Sequence, residues 1–283
     1  MHDSSMVFSW GPPRMGTIWL FNVLQEIASE SGIEFGIVAD GLPLPRNSWK
    51  GPVLLKSHRA DFPELIAEFD QKVGLFACVI VRNVESTLKS LVRTQKANVD
   101  ELLTWLETDL VAYSTTLPCM TRVAVIEEEW IARQGVAVIR RLAMFLNVPL
   151  TTDQCERIDR DFSRASVKAK IDKLENGNNW KGEFKNYDPA SQWHAGHISL
   201  EESPNLELTK QQHDKVDTLQ ISVDALVSRY SLWETQESTI ESNMVNVPAM
   251  DFIRARQQVI DESAVGGPSS TSRFKNLFTR MVR

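Results

Sequence analysis

The residues that could do chemistry begin with a glycine-containing loop near the start of the chain. Gly11 and Gly16 are spaced like the glycines of a phosphate-binding P-loop, and a short apolar run precedes them. Thr17 directly follows Gly16, so the lysine that a Walker A motif requires between them is missing; a basic residue, Arg14, stands two places before Gly16 instead. Backbone N–H groups at the start of a helix bind anions. The loop therefore favours an anionic nucleotide other than ATP or GTP.

Two other segments place basic residues where an apolar run ends. Lys56 and His58 close the run of residues 53–58, and Arg82 directly follows the run of residues 73–81. An imidazole titrates near pH ~6.5, so His58 is a candidate general base. The guanidinium of Arg82 offers a two-pronged donor for a phosphate. These residue types predict a site that binds anions and removes a proton.

The elements that must position these residues alternate between apolar runs and helical patterns. The apolar runs cover residues 6–10, 33–39, 53–58, 73–81 and 122–126. The helical patterns between and after them cover residues 17–31, 61–70, 84–94, 99–114 and 129–146. The nearly continuous run of residues 73–81 is typical of a strand covered on both faces. Asn83 is placed to cap the helix that follows.

Strands that alternate with helices predict an α/β fold, with a P-loop-like parallel β-sheet wrapped by helices on both faces. Ligands in such sheets bind at the carboxyl ends of the strands. Because Arg14, His58 and Arg82 lie at or just after such ends, we expect them to converge on one crevice. We expect a single domain over residues 1–233, followed by a C-terminal tail over residues 234–283.

The patterns are weaker in the later part of the chain. Residues 152–172 and 208–232 are predicted to be helical. Residues 175–196 are rich in Asn, Gly, Trp and charge and are too long for a passive connector, so they are a candidate lid or binding loop. In the tail, residues 266–272 read as a linker and residues 273–283 as a short basic amphipathic helix. Three possibilities are open for that helix. It frays, it docks onto the preceding domain, or it binds a membrane surface or a partner.

Composition excludes some classes of function. The chain has 283 residues, of which 42% are hydrophobic, and a net charge of −6. A sizeable core is expected, and bulk binding of nucleic acid, which needs a basic footprint, is not. The three scattered cysteines suit a reducing compartment. No signal-peptide pattern and no apolar run of about 18 residues is found, so we expect a cytoplasmic protein without a membrane span; whether it forms a homodimer is left open.

Three segments together resemble the sulfotransferases that use PAPS (3′-phosphoadenosine 5′-phosphosulfate). The family's 5′-phosphosulfate loop reads Pro-Lys-Ser-Gly-Thr-Thr-Trp after a strand, and residues 13–19 read Pro-Arg-Met-Gly-Thr-Ile-Trp. Its Lys-Thr-His stretch is similar to residues 56–58, which read Lys-Ser-His. Its 3′-phosphate motif has an Arg at a strand end, an Asn after it and a Ser eight residues beyond the Arg, as Arg82, Asn83 and Ser90 do here. The likeness covers residues 6–150 and extends weakly to about residue 200.

The resemblance implies sulfuryl transfer from PAPS to a hydroxyl or amine of a small-molecule acceptor, with 3′,5′-ADP as the product and no metal. It implies that His58 is the base, that Arg14 and Lys56 offset charge on the departing phosphate, and that Arg82 and Ser90 hold the 3′-phosphate. The residues of the phosphosulfate loop would be Arg14, Met15, Gly16, Thr17, Ile18 and Trp19, the last stacking on adenine.

A later stretch, residues 193–199, is similar to a His-x-x-His-Ile stretch of bacterial-type members. It implies that Gly196 and His197 close over the nucleotide. His194 and His197 are spaced like a helical metal pair, but Gly196 between them favours a loop, and we expect no metal there. The family's late Arg-Lys-Gly loop is not visible, and Arg14 stands where the family has Lys.

Two other functions are weighed against this one. A small-molecule kinase or nucleotide hydrolase on the same fold would need a Walker lysine and a magnesium-binding aspartate at a strand end, and neither is evident. A non-catalytic nucleotide-binding protein of the same fold is favoured mildly by Arg14 in place of Lys and disfavoured by the presence of His58.

Overall fold

The computed structural model of the chain describes residues 5–38, 51–58, 74–95, 97–176, 187–188, 191–194 and 205–233. Five parallel strands form one sheet in the order β2-β3-β1-β4-β5. They are β1 (Ser5–Trp10), β2 (Gly36–Val38), β3 (Val53–Ser57), β4 (Gly74–Val81) and β5 (Arg122–Glu127). The predicted parallel sheet is confirmed.

Seven α-helices lie in this described part of the chain. They are α1 (Thr17–Glu30), α2 (Val84–Gln95), α3 (Val99–Thr116), α4 (Glu128–Phe145), α5 (Thr152–Asp161), α6 (Arg164–Asn176) and α7 (Lys210–Tyr230). A short 3-10 turn (Leu117–Cys119) follows α3. A separate antiparallel pair joins β6 (Tyr187–Asp188) to β7 (Trp193–His194).

The central strand β1 is buried on both faces, which explains its mostly apolar sequence. Phe8 and Trp10 face a core that the sheet shares with α2, α3 and α7. Val7 faces a second core that the sheet shares with α1, α4 and α5. Fully burying a side chain of this size contributes roughly 1.5–3 kcal/mol, so both faces help to fix this strand at the centre. Helices on both faces were predicted, and this is confirmed.

The chain returns to the sheet after α7. The N–H group of Leu232 donates to the carbonyl oxygen of Val125 in β5, at 3.0 Å, and Ser231 forms a bridge with the same residue. Residues up to 233 therefore pack with the α/β unit. The predicted tail, residues 234–283, and the predicted helix of residues 61–70 lie outside the described residues.

One predicted helix is wrong in extent. Residues 152–172 do not form a single helix, because the chain breaks between α5 and α6 at Phe162 and Ser163. The hydroxyl of Ser163 accepts a hydrogen bond from the N–H group of Ser166, at 3.2 Å. A serine that satisfies a free N–H group in this way starts a new helix rather than continuing the old one.

Candidate active site

The loop between β1 and α1 fits tightly onto β4 and needs glycine at two positions. Gly16 has a φ of 94°, and a Cβ there would lie 2.8 Å from Cδ1 of Ile80. A Cβ on Gly11 would lie 2.5 Å from the carbonyl oxygen of Ile80. The first position needs a left-handed backbone, which is costly for other residues, and the second needs close approach to another strand. The two glycines thus let the loop lie over the end of the sheet.

Helix α1 begins directly after this loop, with its first turn at the carboxyl edge of the sheet. Gly16 supplies no side-chain cap, and the first turn contains no acidic residue. The hydroxyl of Thr17 donates to the carbonyl oxygen of Gly11 at 3.3 Å and so closes the loop. The N-terminus of such a helix favours an anion through its N–H groups and its dipole.

Arg14 turns from this loop toward helix α2. Its backbone is left-handed, with a φ of 70°, and its Nε donates to Oγ of Ser90 at 3.1 Å. Burial lowers the pKa of Arg14, and the neighbouring guanidinium groups of Arg93 and Arg82 lower it further. Residues that the sequence assigned to two ends of a nucleotide, Arg14 and Ser90, are therefore in direct contact.

Arg82 lies between strand β4 and helix α2, and its side chain pairs with a residue that directly follows the neighbouring strand, β5. Its Nε is 3.3 Å from Oε2 of Glu128, the first residue of α4. The predicted cap is confirmed, because Oδ1 of Asn83 accepts a hydrogen bond from the N–H group of Ser86 at 3.0 Å. The cap fixes the start of the helix that carries Ser90, whose side chain is only 4% exposed.

Lys56 and His58 come together at the end of β3, next to the loop. Lys56 is only 4% exposed, although it ends in an ammonium group. Its Nζ lies 3.5 Å from Nε2 of His58. Nδ1 of His58 lies 3.1 Å from the carbonyl oxygen of Gly11 and 3.4 Å from Oγ1 of Thr17. Strand β3 pairs with β1, so the register of Ser9 with Lys56 brings this pair beside the loop.

The other residues predicted to bind the nucleotide differ in how far their side chains are exposed. Met15 and Ile18 are buried in the molecule, at 0% and 9% exposure, so only their backbone groups can face a ligand. Trp19 is half-buried against the core below α1, which leaves part of its ring for stacking. Gly196 and His197 lie outside the described residues.

The predicted lid region, residues 175–196, contains a short hairpin that is anchored to α1. Nδ2 of Asn22 donates to the carbonyl oxygen of Ser191 at 2.8 Å. Asn22 is three residues after Trp19, so the two share one face of the helix. Ser191, which lies between β6 and β7, therefore contacts the same face of α1 as the residue predicted to stack on adenine. Whether this hairpin moves over a nucleotide stays a prediction.

Several residues of the site were missed in the sequence. The hydroxyl of Tyr113 in α3 donates to the carbonyl oxygen of His58 at 3.1 Å. Glu128 pairs with Arg82, and the charge of Arg93 lowers the pKa of Arg14. Helical periodicity could have found Arg93, one turn after Ser90. Nothing local in the sequence indicates the contacts of Tyr113 or Glu128, because they depend on how distant elements pack.

Two features are absent from the described residues: a membrane-spanning helix and a metal centre. No helix there combines the length and the apolar character needed to cross a bilayer. In the same residues, no group of three or more His, Cys, Asp and Glu side chains is arranged to hold a metal ion.

Comparison with known proteins shows similarity in structure without detectable similarity in sequence. No family model matches the sequence, and no curated protein matches it significantly. A crystal structure of mouse sulfotransferase SULT7A1 complexed with PAP aligns with a TM-score of 0.52 and 15% identity, over 81% of this chain and 89% of that one. The chain therefore has the fold of this sulfotransferase.

Two structures of retinol dehydratase align less closely. The complex with androsterone and the inactive cofactor PAP has a TM-score of 0.45, 11% identity, and coverage of 80% of this chain and 81% of that one. The complex with retinol and PAP has a TM-score of 0.44, 11% identity, and coverage of 80% and 82%.

Proposed function

We propose that the chain is a sulfotransferase that transfers a sulfuryl group from PAPS to a hydroxyl or amine of a small-molecule acceptor. The observation that carries the proposal is the position of His58, which lies beside Lys56 and is held by the carbonyl of Gly11 in an anion-binding loop. The fold shared with a sulfotransferase that was crystallised with PAP (3′,5′-ADP) supports it. The resemblance of residues 13–19, 56–58 and 82–90 to the family motifs supports it independently.

The donor would be bound at both of its phosphate-bearing ends. The N–H groups at the start of α1 and the side chain of Lys56 would hold the 5′-phosphosulfate. Arg82 and Ser90 would hold the 3′-phosphate, and Arg14, which contacts Ser90, would lie between the two ends. Trp19 would stack on adenine. Gly196 and His197 would close over the nucleotide.

The chemistry needs one base and a concentration of positive charge. Nε2 of His58 takes the proton from the acceptor hydroxyl while the acceptor oxygen forms a bond to sulfur. The bond between sulfur and the bridging phosphate oxygen breaks, and its electron pair stays on the phosphate of 3′,5′-ADP. Lys56 and the helix N–H groups stabilise this negative charge, as fixed dipoles and cations do for other leaving groups. Because Lys56 and the helix N–H groups would supply the positive charge that this step needs, we expect no metal to be required.

Lys56 must turn during this reaction. Its Nζ faces Nε2 of His58 at 3.5 Å, which is where an acceptor proton would arrive. Bound phosphosulfate would draw the ammonium toward the bridging oxygen and leave the imidazole lone pair open to the acceptor. Binding of the donor would therefore prepare the base.

The direct test incubates the purified chain with PAPS and a panel of phenols, alcohols and amines, and measures release of 3′,5′-ADP. Melting temperatures with 3′,5′-ADP, 5′-AMP, ATP and GTP identify the nucleotide, because the stabilisation of the fold by a ligand increases with the ligand's concentration and affinity. Stabilisation by ATP or GTP alone would favour a kinase. Stabilisation by 3′,5′-ADP with no turnover on any acceptor would favour a non-catalytic nucleotide-binding protein.

We also propose a domain organisation and a cellular compartment for this activity. Residues 1–233 would form the catalytic domain, and residues 234–283 a tail. The three cysteines are free in the structure, which suits a reducing compartment such as the cytoplasm. Separate expression of residues 1–233, followed by the same nucleotide titration, tests this division.

A further inference from the structure

We propose that Arg93 selects for the second phosphate of the donor nucleotide, at a subsite that it shares with Arg14 and Ser90. The inference rests on the proposed function, because a 3′-phosphate distinguishes PAPS and 3′,5′-ADP from 5′-AMP. Neither the P-loop pattern nor the family motifs include Arg93.

The geometry begins with helix α2. Ser90 and Arg93 are three residues apart on this helix, so their side chains are neighbours on one face. Oγ of Ser90, which is 4% exposed, accepts a hydrogen bond from Nε of Arg14 at 3.1 Å. Arg82 precedes the helix and Arg93 lies in its last turn. Arg14 thus contacts a helix that is preceded by one arginine and carries another in its last turn.

The electrostatics of this cluster favour an anion. Burial is the largest cause that lowers the pKa of Arg14, and the charges of Arg93 and then Arg82 follow. Glu128 pairs with Arg82 at 3.3 Å. Within the described part of the chain, no ion pair joins Arg14 to a carboxylate. Half-buried guanidinium groups that repel one another are stabilised when a dianion binds among them.

A phosphate monoester fits this cluster better than other anions. It carries close to two negative charges near neutral pH and presents three acceptor oxygens. Guanidinium groups bind such oxygens through paired N–H donors. The hydroxyl of Ser90 adds a donor at the centre of the cluster. A single 5′-phosphate would be held by the N–H groups at the start of α1, whereas Ser90 and Arg93 belong to α2.

A purely structural role for Arg93 makes a different prediction. A basic residue in the last turn of a helix stabilises the helix through its dipole. Removal of the charge would then lower the melting temperature without changing which nucleotide the protein prefers. The ratio of affinities for 3′,5′-ADP and 5′-AMP therefore separates the two roles.

The experiment titrates the full chain with 3′,5′-ADP and with 5′-AMP by calorimetry. Arg93→Gln should weaken the binding of 3′,5′-ADP by roughly 10- to 100-fold, the effect of one lost charge-assisted hydrogen bond. The affinity for 5′-AMP should stay unchanged. Arg93→Lys should retain part of the preference, since it keeps the charge but not the paired donors. Lys89→Gln is the matched control, because it removes one positive charge from the same helix, where Lys89 pairs with Glu85 at 2.6 Å.

Two results would overturn the inference. One is an unchanged ratio of the affinities for 3′,5′-ADP and 5′-AMP in Arg93→Gln, whether both affinities stay the same or both fall equally. In that case the wild-type preference for 3′,5′-ADP would leave the proposed function intact. The other is a wild type that binds both nucleotides equally, which would remove the proposed function as well as the role of Arg93.

Discussion

Nδ1 of His58 lies 3.1 Å from the carbonyl oxygen of Gly11, so the loop that would bind the donor also orients the candidate base. A carbonyl oxygen only accepts hydrogen bonds, and the contact therefore assigns the ring hydrogen to Nδ1. Nε2 then carries the lone pair and faces Lys56. This is the tautomer that a general base at Nε2 requires. The close fit of Gly11 against Ile80 keeps that carbonyl in place.

Replacement of the candidate base should separate catalysis from binding. His58→Ala is expected to lower the rate of sulfuryl transfer by roughly 10²–10⁴-fold, because general bases contribute that much. Affinity for 3′,5′-ADP should stay close to that of the wild type. Sulfuryl transfer is measured by the release of 3′,5′-ADP, and nucleotide binding is measured by calorimetry. His213→Ala, at an exposed position in α7, is the control. Near wild-type turnover in His58→Ala would remove His58 from the mechanism.

The contact between Tyr113 and the backbone of His58 should matter for rate more than for nucleotide binding. Tyr113→Phe keeps the ring against Trp10 but removes the donor to the carbonyl oxygen of His58. We expect a loss of about 0.5–1.5 kcal/mol in unfolding free energy, with a lower kcat and an unchanged KM for PAPS. Tyr230→Phe is the control, because it removes a tyrosine hydroxyl at the end of α7 rather than beside His58. An unchanged kcat would show that Tyr113 only stabilises the core.

The parts of this structure that the sequence predicts are those with local physical causes. Strand β1, the loop and helix α1 were predicted because a buried strand is mostly apolar and a left-handed turn favours glycine, here Gly16. The cap at Asn83 was predicted because its side chain reaches an N–H group three residues later. Each of these signals acts within a few residues of the chain.

The parts that could not be predicted depend on the packing of distant elements. Arg14 and Ser90 are 76 residues apart, and their contact requires β1 and β4 to be neighbours in the sheet. The apolar runs identify these strands but not their order. The pairing of Arg82 with Glu128 likewise requires β4 to lie beside β5. For this reason the sequence predicted that Arg14, His58 and Arg82 follow the carboxyl ends of strands, but not the contacts that these residues make.

A carboxyl group at the edge of the sheet should make stability depend on pH. Burial raises the pKa of Glu127, and the negative charges of Glu129 and Asp224 raise it further, while Arg133 opposes them. The folded protein therefore holds this proton more tightly than the unfolded chain, and this residue's contribution to stability falls as pH rises through its folded pKa.

Glu127→Gln should consequently be more stable than the wild type at neutral pH. The difference should shrink as the pH is lowered and vanish below the ordinary range of a carboxyl pKa, where both states of the wild type are protonated. Urea unfolding at several pH values measures it. Glu156→Gln, at an exposed position in α5, is the control. A stability gain that stays constant down to acidic pH would contradict the assignment.

Loss of Arg82 should weaken donor binding more than it slows the bound complex. Nε of Arg82 is engaged by Glu128, so in the proposed complex the two terminal nitrogens would bind the 3′-phosphate. That phosphate does not change during transfer, so its interactions stabilise the ground state and the transition state alike. Arg82→Ala should therefore reduce PAPS affinity by about 1.5–3 kcal/mol, the value of a charge-assisted hydrogen bond, with little effect on kcat at saturating PAPS. Arg133→Ala, which removes an exposed pair with Glu129 on α4, is the control. Equal PAPS affinity in Arg82→Ala and the wild type would show that Arg82 serves only its contact with Glu128.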